Sequence, residues 1–196
     1  MSRRVQVENN QGSRMRISWV VADAVASDPT IDIEKLKNIG SIWGGWKTWR
    51  SCGTDNVICH GLSDAQQLVS KNFHTRCNLY LPLANYQSVD RPPGIKIYHG
   101  DFHFEIDQPD EIVAMHLAAQ NSDIVLLLGF DLKEHSANDA DKLTKHKWHV
   151  YKHYIRQIIA DKSDVQWVLI DQSDQLDKIF KELPNLQLDV LSNILS

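Results

Sequence analysis

Short apolar runs rich in β-branched and aromatic residues alternate with helix-like segments along most of the chain. The runs RISWVVADAV, NVICH, CNLYLP, IKIYHG, DIVLLLGF and VQWVLID are typical of strands, and DIVLLLGF, the most apolar, is predicted at the centre of a sheet. A helix is predicted from Asp28, which precedes Pro29, to a stop at Gly40. This alternation predicts a single doubly wound, mainly parallel sheet with helices on both faces, a Rossmann-like α/β fold.

The 196 residues suit one domain, which we expect to span residues 15–196. Residues 1–14 are polar and lack periodicity, so they predict a flexible N-terminal arm or an upstream start. The alternating run IKIYHG indicates a strand near an edge of the sheet, and LQLDVL indicates a last strand or short helix.

Charge, cysteine usage and hydropathy limit the partners of the protein. A net charge of −4 argues against general nucleic-acid binding. Cys52, Cys59 and Cys77 include no Cys-x-x-Cys pair, which indicates reduced thiols in a cytoplasmic protein. No apolar run approaches the roughly 20 residues of a membrane span, so no membrane partner is expected. The sequence does not decide whether the protein forms a homo-oligomer.

Polar residues follow most of the predicted strands. In a parallel α/β sheet, ligands bind outside the carboxyl ends of the strands, near the point where the strand order reverses. The residues at these ends are Asp23, His60, His99, Asp131 and Asp171. We predict that Asp23, Asp131 and Asp171 contact a ligand. Gly129 would let the backbone approach that ligand, or Gly129 simply starts a turn that Asp131 caps.

The segment GSIWGGWKTWRSCGTDN places Trp43, Trp46 and Trp49 at i, i+3 and i+6, which predicts one ridge along a helix. Two glycines inside that helix would cost roughly 1 kcal/mol each relative to alanine. Close packing or room for a ligand would offset this cost. Trp46 and Arg50 are therefore candidates to hold a base and a phosphate, with Asn56 nearby, and a buried tryptophan helix is the alternative. No GxGxxG or GxxxxGK[ST] motif occurs.

Histidines and nucleophile motifs give few catalytic candidates. His146, His149 and His153 share one helical face with interleaved lysines, so we predict no metal there but a solvated basic face or a contact for an anionic ligand or partner. His135, in the polar loop after Asp131, is the candidate for a general acid or base if the protein is an enzyme. GxSxG is absent, Cys59 is expected to be a buried, inert thiol, and no cofactor is predicted.

Two resemblances extend these predictions. The stretch from MRISWVVADAV to DNVICH, with DEIVAMHLAAQNSDIVLLLGFDL, resembles small proteins of contractile-tailed cyanophages and related marine phages, from Met15 onward. This likeness implies no particular activity, and it implies the host cytoplasm as location. LLLGFDL, the following long helix and VQWVLIDQSDQLDKIFKELPNL are similar to the carboxyl-terminal half of sialyltransferase-like, Rossmann-type transferases. That likeness implies a nucleotide sugar across the strand ends, with Gly129 and Asp131 as contacts.

Three functions are consistent with these patterns. The first is a small-ligand-binding protein for a nucleotide or nucleotide sugar, which is transferase-like if it is an enzyme. The second is a non-catalytic phage accessory protein that sequesters a host signal molecule or docks on a host protein, because tryptophan and arginine dominate binding hot spots. The third is a structural component of the virion.

Overall fold

A computed structural model of the protein describes residues 15–25, 28, 30–99, 110–132, 142–170 and 176–195. Within these ranges, eight strands form one sheet. In chain order the strands are β1 (Ile17–Val21), β2 (Ser41–Gly45), β3 (Asn56–Ile58), β4 (Asn78–Pro82), β5 (Lys96–Tyr98), β6 (Ile124–Leu128), β7 (Gln166–Ile170) and β8 (Leu186–Asp189).

The strand order across the sheet is β5-β4-β3-β2-β1-β6-β7-β8, and every pairing of these strands is parallel. The chain thus builds the sheet outward from β1 in one direction, then returns and builds it in the other. This confirms the predicted Rossmann-like, doubly wound fold. The prediction that IKIYHG, now β5, lies near an edge of the sheet is also confirmed. DIVLLLGF, now β6, was predicted at the centre, but the middle pair of strands is β1 and β2, and β6 lies beside β1.

Helices follow most strands. They are α1 (Ile33–Ile39), α2 (Trp46–Cys52), α3 (Leu62–Ser70), α4 (Leu83–Gln87), α5 (Asp110–Ala119), α6 (Lys142–Asp161), α7 (Lys178–Lys181) and α8 (Leu191–Ile194). The predicted start of the first helix at Asp28 is too early, because Asp32 is the N-cap and accepts a hydrogen bond from the Lys35 amide. Across the described ranges, no helix combines the length and the apolarity needed to cross a bilayer.

The two faces of the sheet are covered by different helices. Helices α5, α6 and α7 bury a core against side chains such as Val20, Leu127 and Trp167. On the opposite face, α1 and α8 cover β1, β6 and β7, while α2, α3 and α4 cover β3 and β4. Since successive side chains of a strand point to opposite faces, strands buried on both sides must be apolar throughout, as β6 is.

The tryptophan segment is not one helix, and the predicted tryptophan ridge is wrong. Residues 41–45 form the central strand β2, and α2 begins only at Trp46. Trp43 is 3% exposed and belongs to the core under α5, where its indole N–H donates to the hydroxyls of Ser18 and Ser41, both at 3.2 Å. Trp46 and Trp49 instead pack on the opposite face with the β3–β4 core.

The two glycines of β2 permit close packing at the end of the strand. A Cβ on Gly44 would lie 2.8 Å from Cγ2 of Thr48, which is tighter than real Cβ contacts allow. A Cβ on Gly45 would lie 3.0 Å from Cβ of Asp110 on α5. Small residues are therefore needed here so that α2 and α5 can approach the carboxyl end of β2 from opposite faces.

Candidate functional site

The strand order reverses at β1, because β2 lies on one side of it and β6 on the other. Asp23 follows β1, and Asp131 follows β6, which pairs with β1 along its whole length. The structure thus places these two predicted ligand residues beyond the ends of neighbouring strands. Asp171 and His135 lie outside the described residues, so the prediction for them stays open.

The amino end of α5 is fastened to three strand ends by two consecutive carboxyl groups. Asp110 Oδ1 accepts the backbone N–H of His60, after β3, at 3.0 Å, and the Asp110 carboxylate also accepts the N–H of Trp46, after β2. Glu111 Oε1 accepts the N–H of Asp23, after β1, at 2.7 Å. The first turn of α5 therefore holds the carboxyl ends of β1, β2 and β3 together. The sequence shows two acids at the start of a helix-like segment, where the helix dipole favours them, but it does not show which amides they bind.

Burial dominates the electrostatics of these two carboxyl groups. It raises the pKa of Asp110 from its ordinary value of 3.8 to about 7, although the two N–H donors oppose the change and the nearby charges of Asp23 and Glu111 add to it. Burial also raises the pKa of Glu111, against the hydrogen bond from Asp23. A proton is therefore available at Asp110 near neutral pH.

Five side chains gather where β1 and β6 end, and we call them the edge cluster. They are Asp23, Thr48, Glu111, Asp131 and Tyr151. The Thr48 hydroxyl donates to the Asp23 carboxylate, and the Tyr151 hydroxyl donates to Glu111 Oε2 at 3.4 Å. Burial, with added repulsion from the charges of Glu111, Asp23 and Asp131, raises the pKa of the Tyr151 phenol well above its ordinary value. Tyr151 thus stays a hydrogen-bond donor among acceptors.

A second polar contact lies along the same edge of the sheet. The imidazole Nδ1 of His60 lies 2.8 Å from the hydroxyl of Tyr98, the last residue of β5. Burial raises the pKa of the Tyr98 phenol, so the phenol is neutral and its hydroxyl is able to donate to the ring. Asn85 of α4 donates to the His60 carbonyl at 2.5 Å. His60, one of the histidines predicted at a strand end, is therefore held in place by Tyr98 and Asn85, and it is exposed to solvent.

Gly129 has a conformational and a packing reason to be glycine. Its φ of +83° lies in the left-handed region that favours glycine. A Cβ here would meet Cγ2 of Val25, in the turn after β1, at 2.3 Å. The close neighbour of the Gly129 backbone is thus Val25 of the protein itself, so the turn explanation accounts for this glycine without a ligand.

Trp46 and Arg50 form a stacked pair on α2. The Arg50 guanidinium lies 5.1 Å from the centroid of the Trp46 ring, and the half-buried indole also packs against the β3–β4 core. A base that stacks on the face covered by Arg50 must displace it. Arg50 itself is exposed, and Lys47, one turn earlier on α2, is close enough to Glu111 that its charge lowers the pKa of that carboxyl.

Asn56 lies apart from the other predicted ligand residues. It is the first residue of β3, 6% exposed, and thus sits at the opposite end of that strand from His60. Its Nδ2 donates to the Ile42 carbonyl at 3.4 Å, and its Oδ1 accepts from Asn78 at 3.0 Å. These bonds cross β2, β3 and β4, so the side chain serves the sheet.

Cys59 and Cys77 are poorly suited to act as nucleophiles. Cys59 is 0% exposed, and burial raises the pKa of its thiol, so the thiolate that reacts is scarce. Burial also raises the pKa of the free Cys77 thiol, to about 11. Among the side chains that the structure describes, no group of three histidine, cysteine, aspartate or glutamate residues is arranged to hold a metal ion.

Comparison of the chain with models of known protein families, with curated proteins and with solved structures gives no match. The fold and the residues at the strand ends are therefore the basis for any functional conclusion.

Proposed function

We propose that the protein binds a nucleotide or nucleotide sugar at the carboxyl edge of its sheet, outside β1 and β6. The observation that carries this proposal is the reversal of strand order at β1, with Asp23 and Asp131 following the two strands that meet there. Open parallel α/β sheets bind their ligands at such a switch point. The fold is compatible with nucleotide binding, and the polar residues at the switch point are suited to a polar ligand.

The edge cluster favours the hydroxyl-bearing part of such a ligand over its phosphates. Carboxylates accept hydrogen bonds from ribose or sugar hydroxyls, and the Tyr151 hydroxyl is able to donate one. A phosphate placed among Asp23, Glu111 and Asp131 would instead meet like charges in a partly buried site. The sugar is therefore the part that binds at the ends of β1 and β6.

The phosphates are better accommodated along α2. Lys47 and Arg50 are both exposed and are three residues apart, so they lie on one face of this helix. Lys47 is near Glu111, which places a cation beside the edge cluster. A diphosphate that extends from the edge cluster toward α2 would lie away from the carboxylates and next to the Lys47 ammonium and the Arg50 guanidinium, both of which bind phosphate well.

The proposal is tested by isothermal titration calorimetry with uridine, cytidine and adenosine nucleotides and their sugar conjugates. We expect binding by at least one ligand of this panel, and Asp131→Asn should weaken it about tenfold, since a hydrogen bond to a charged group is lost. Asp164→Asn is the matched control, because Asp164 is an exposed aspartate just before β7, at the amino ends of the strands and thus opposite the proposed site. Silence across the panel, or equal effects of the two variants, would contradict the proposal.

A further inference from the structure

A cationic groove lies between α6 and α7. Its volume is about 370 Å³, and it is lined by His149, His153, Arg156, Lys178, Ile179 and Glu182. His149, His153 and Arg156 are spaced i, i+4 and i+7, so α6 presents them along one face. Lys178 and Glu182 face them from α7 and the residue that ends it.

The charge in this groove is opposite to that of the whole chain. The protein has a net charge of −4, yet the groove combines a guanidinium, an ammonium and two imidazoles with one carboxylate. His149 and His153, where the sequence predicts no metal, therefore lie next to two permanent cations, which would repel a metal ion. The same set favours an anion, because it offers several N–H donors and few acceptors.

Contacts between α6 and α7 keep the groove in shape. The Arg156 Nε–H donates to the Ile179 carbonyl at 2.9 Å, which orients the guanidinium at the groove. The buried Lys152 ammonium lies 2.9 Å from Asp177, the N-cap of α7. Phe180 and Ile155 pack in the core beneath. The Arg156 guanidinium is thus held by the fold before any ligand arrives, which reduces the entropy lost on binding.

We propose that this groove is a binding site for a small phosphate-bearing molecule. Its volume is near the lower end of the roughly 300–1000 Å³ typical of small-ligand sites. The two terminal nitrogens of Arg156 suit paired phosphate oxygens, and Lys178 and the histidines supply further donors around them. The groove and the edge cluster have no lining residue in common, although Tyr151 of the cluster lies between His149 and His153 along α6. The proposal for the groove does not depend on the proposed function at the edge cluster.

Inorganic pyrophosphate is the probe for this proposal. In an amide-resolved NMR titration of the full chain at 0.15 M ionic strength, pyrophosphate should shift the backbone signals of His149, His153, Arg156, Lys178 and Glu182. Tricarballylate, a carboxylate trianion, should bind more weakly, because the groove is proposed for phosphate rather than for charge alone. Absent shifts, shifts confined to other residues, or equal binding of the two anions would overturn the assignment.

Variants then connect the binding to the groove. Lys178→Ala combined with His153→Gln leaves Arg156 and its bond to Ile179 in place, and it should weaken pyrophosphate binding about tenfold or more. Lys71→Ala, at an exposed lysine that ends α3, removes the same net charge elsewhere and should change the affinity less than about twofold. Asp131→Asn should leave pyrophosphate binding unchanged, which separates this site from the edge cluster. An unchanged affinity in the double variant, with its thermal unfolding intact, would refute the proposal.

Discussion

Replacing Asp110 with asparagine should remove a pH dependence from the stability of the protein. In the folded state the Asp110 pKa is about 7, compared with an ordinary value of 3.8, because the carboxyl group is buried at the start of α5. The folded protein therefore binds a proton at Asp110 more readily than the unfolded chain does. By linkage, the free energy of unfolding falls as the pH rises between these two pKa values, and it is level above about pH 7.

The magnitude follows from the difference in proton binding. Each pH unit below the folded-state pKa adds about 1.4 kcal/mol of stability, until the unfolded-state pKa is reached. At pH 5, two units below a pKa of about 7, the contribution of Asp110 is about 3 kcal/mol relative to pH 8. Asparagine does not titrate, so the variant lacks this contribution. Glu111, whose pKa is also raised, is present in both proteins and cancels to first order in the comparison.

Urea unfolding of the wild type and Asp110→Asn, measured from pH 5 to pH 8, tests this reasoning. In asparagine an NH2 group, which cannot accept a hydrogen bond from an N–H group, replaces one carboxylate oxygen, so a pH-independent loss of stability is also expected. The diagnostic quantity is the change with pH in the difference between the two proteins. Asp164→Asn should keep the wild-type profile. A constant difference between wild type and Asp110→Asn across this range would refute the burial argument.

Three further outcomes follow from packing and burial. Gly129→Ala should cost more stability than Gly53→Ala in thermal unfolding, because both glycines have positive φ but only Gly129 has a neighbour, Val25, where a Cβ would lie. We expect a loss of about 1 kcal/mol for Gly53→Ala and clearly more for Gly129→Ala, and equal losses would argue against the clash. Asp177→Ala should cost about 3–5 kcal/mol in urea unfolding, because it leaves the buried Lys152 without this carboxylate and removes the N-cap of α7; a loss below about 1 kcal/mol would contradict this. In the native protein Cys59 should resist iodoacetamide at pH 8, whereas it should react in urea; peptide mass spectrometry checks this, and rapid native labelling would show that the thiol is accessible.

The fold was predictable because its signal is local and repeated. Each buried parallel strand needs an apolar run of its own, and each crossover needs a helix, so the alternation alone determines the class of the sheet. The position of β6 beside β1 depends instead on where the chain returns after β5, which no local pattern encodes.

The prediction of one helix for the tryptophan segment was wrong, because the spacing i, i+3, i+6 also occurs across a junction between a strand and a helix. Trp43 ends up on the face of α5, and Trp46 and Trp49 on the other face. Gly44 and Gly45 argued against a helix, because two glycines are costly inside one. In the structure they lie at the closely packed end of a strand.

The tie between α5 and the strand ends could not be predicted from local sequence. Asp110 bonds to the amide of His60, 50 residues away, and Glu111 bonds to that of Asp23, 88 residues away. The positions of Asp23 and Asp131 after β1 and β6 were predictable, because both residues follow apolar runs that end at the same end of the sheet. Strand-end position is thus visible in the sequence, whereas the partners of a side chain depend on the assembled fold.

The most direct test of a ligand site at the strand-order reversal is an amide-resolved NMR titration with the nucleotide sugar that binds most tightly in calorimetry. The largest shifts should fall on the residues that follow β1 and β6, among them Asp23 and Asp131, and on Lys47 of α2. Shifts that cluster at the beginnings of the strands, around Asn56 and Asn78, or the absence of shifts at saturating ligand, would contradict the account.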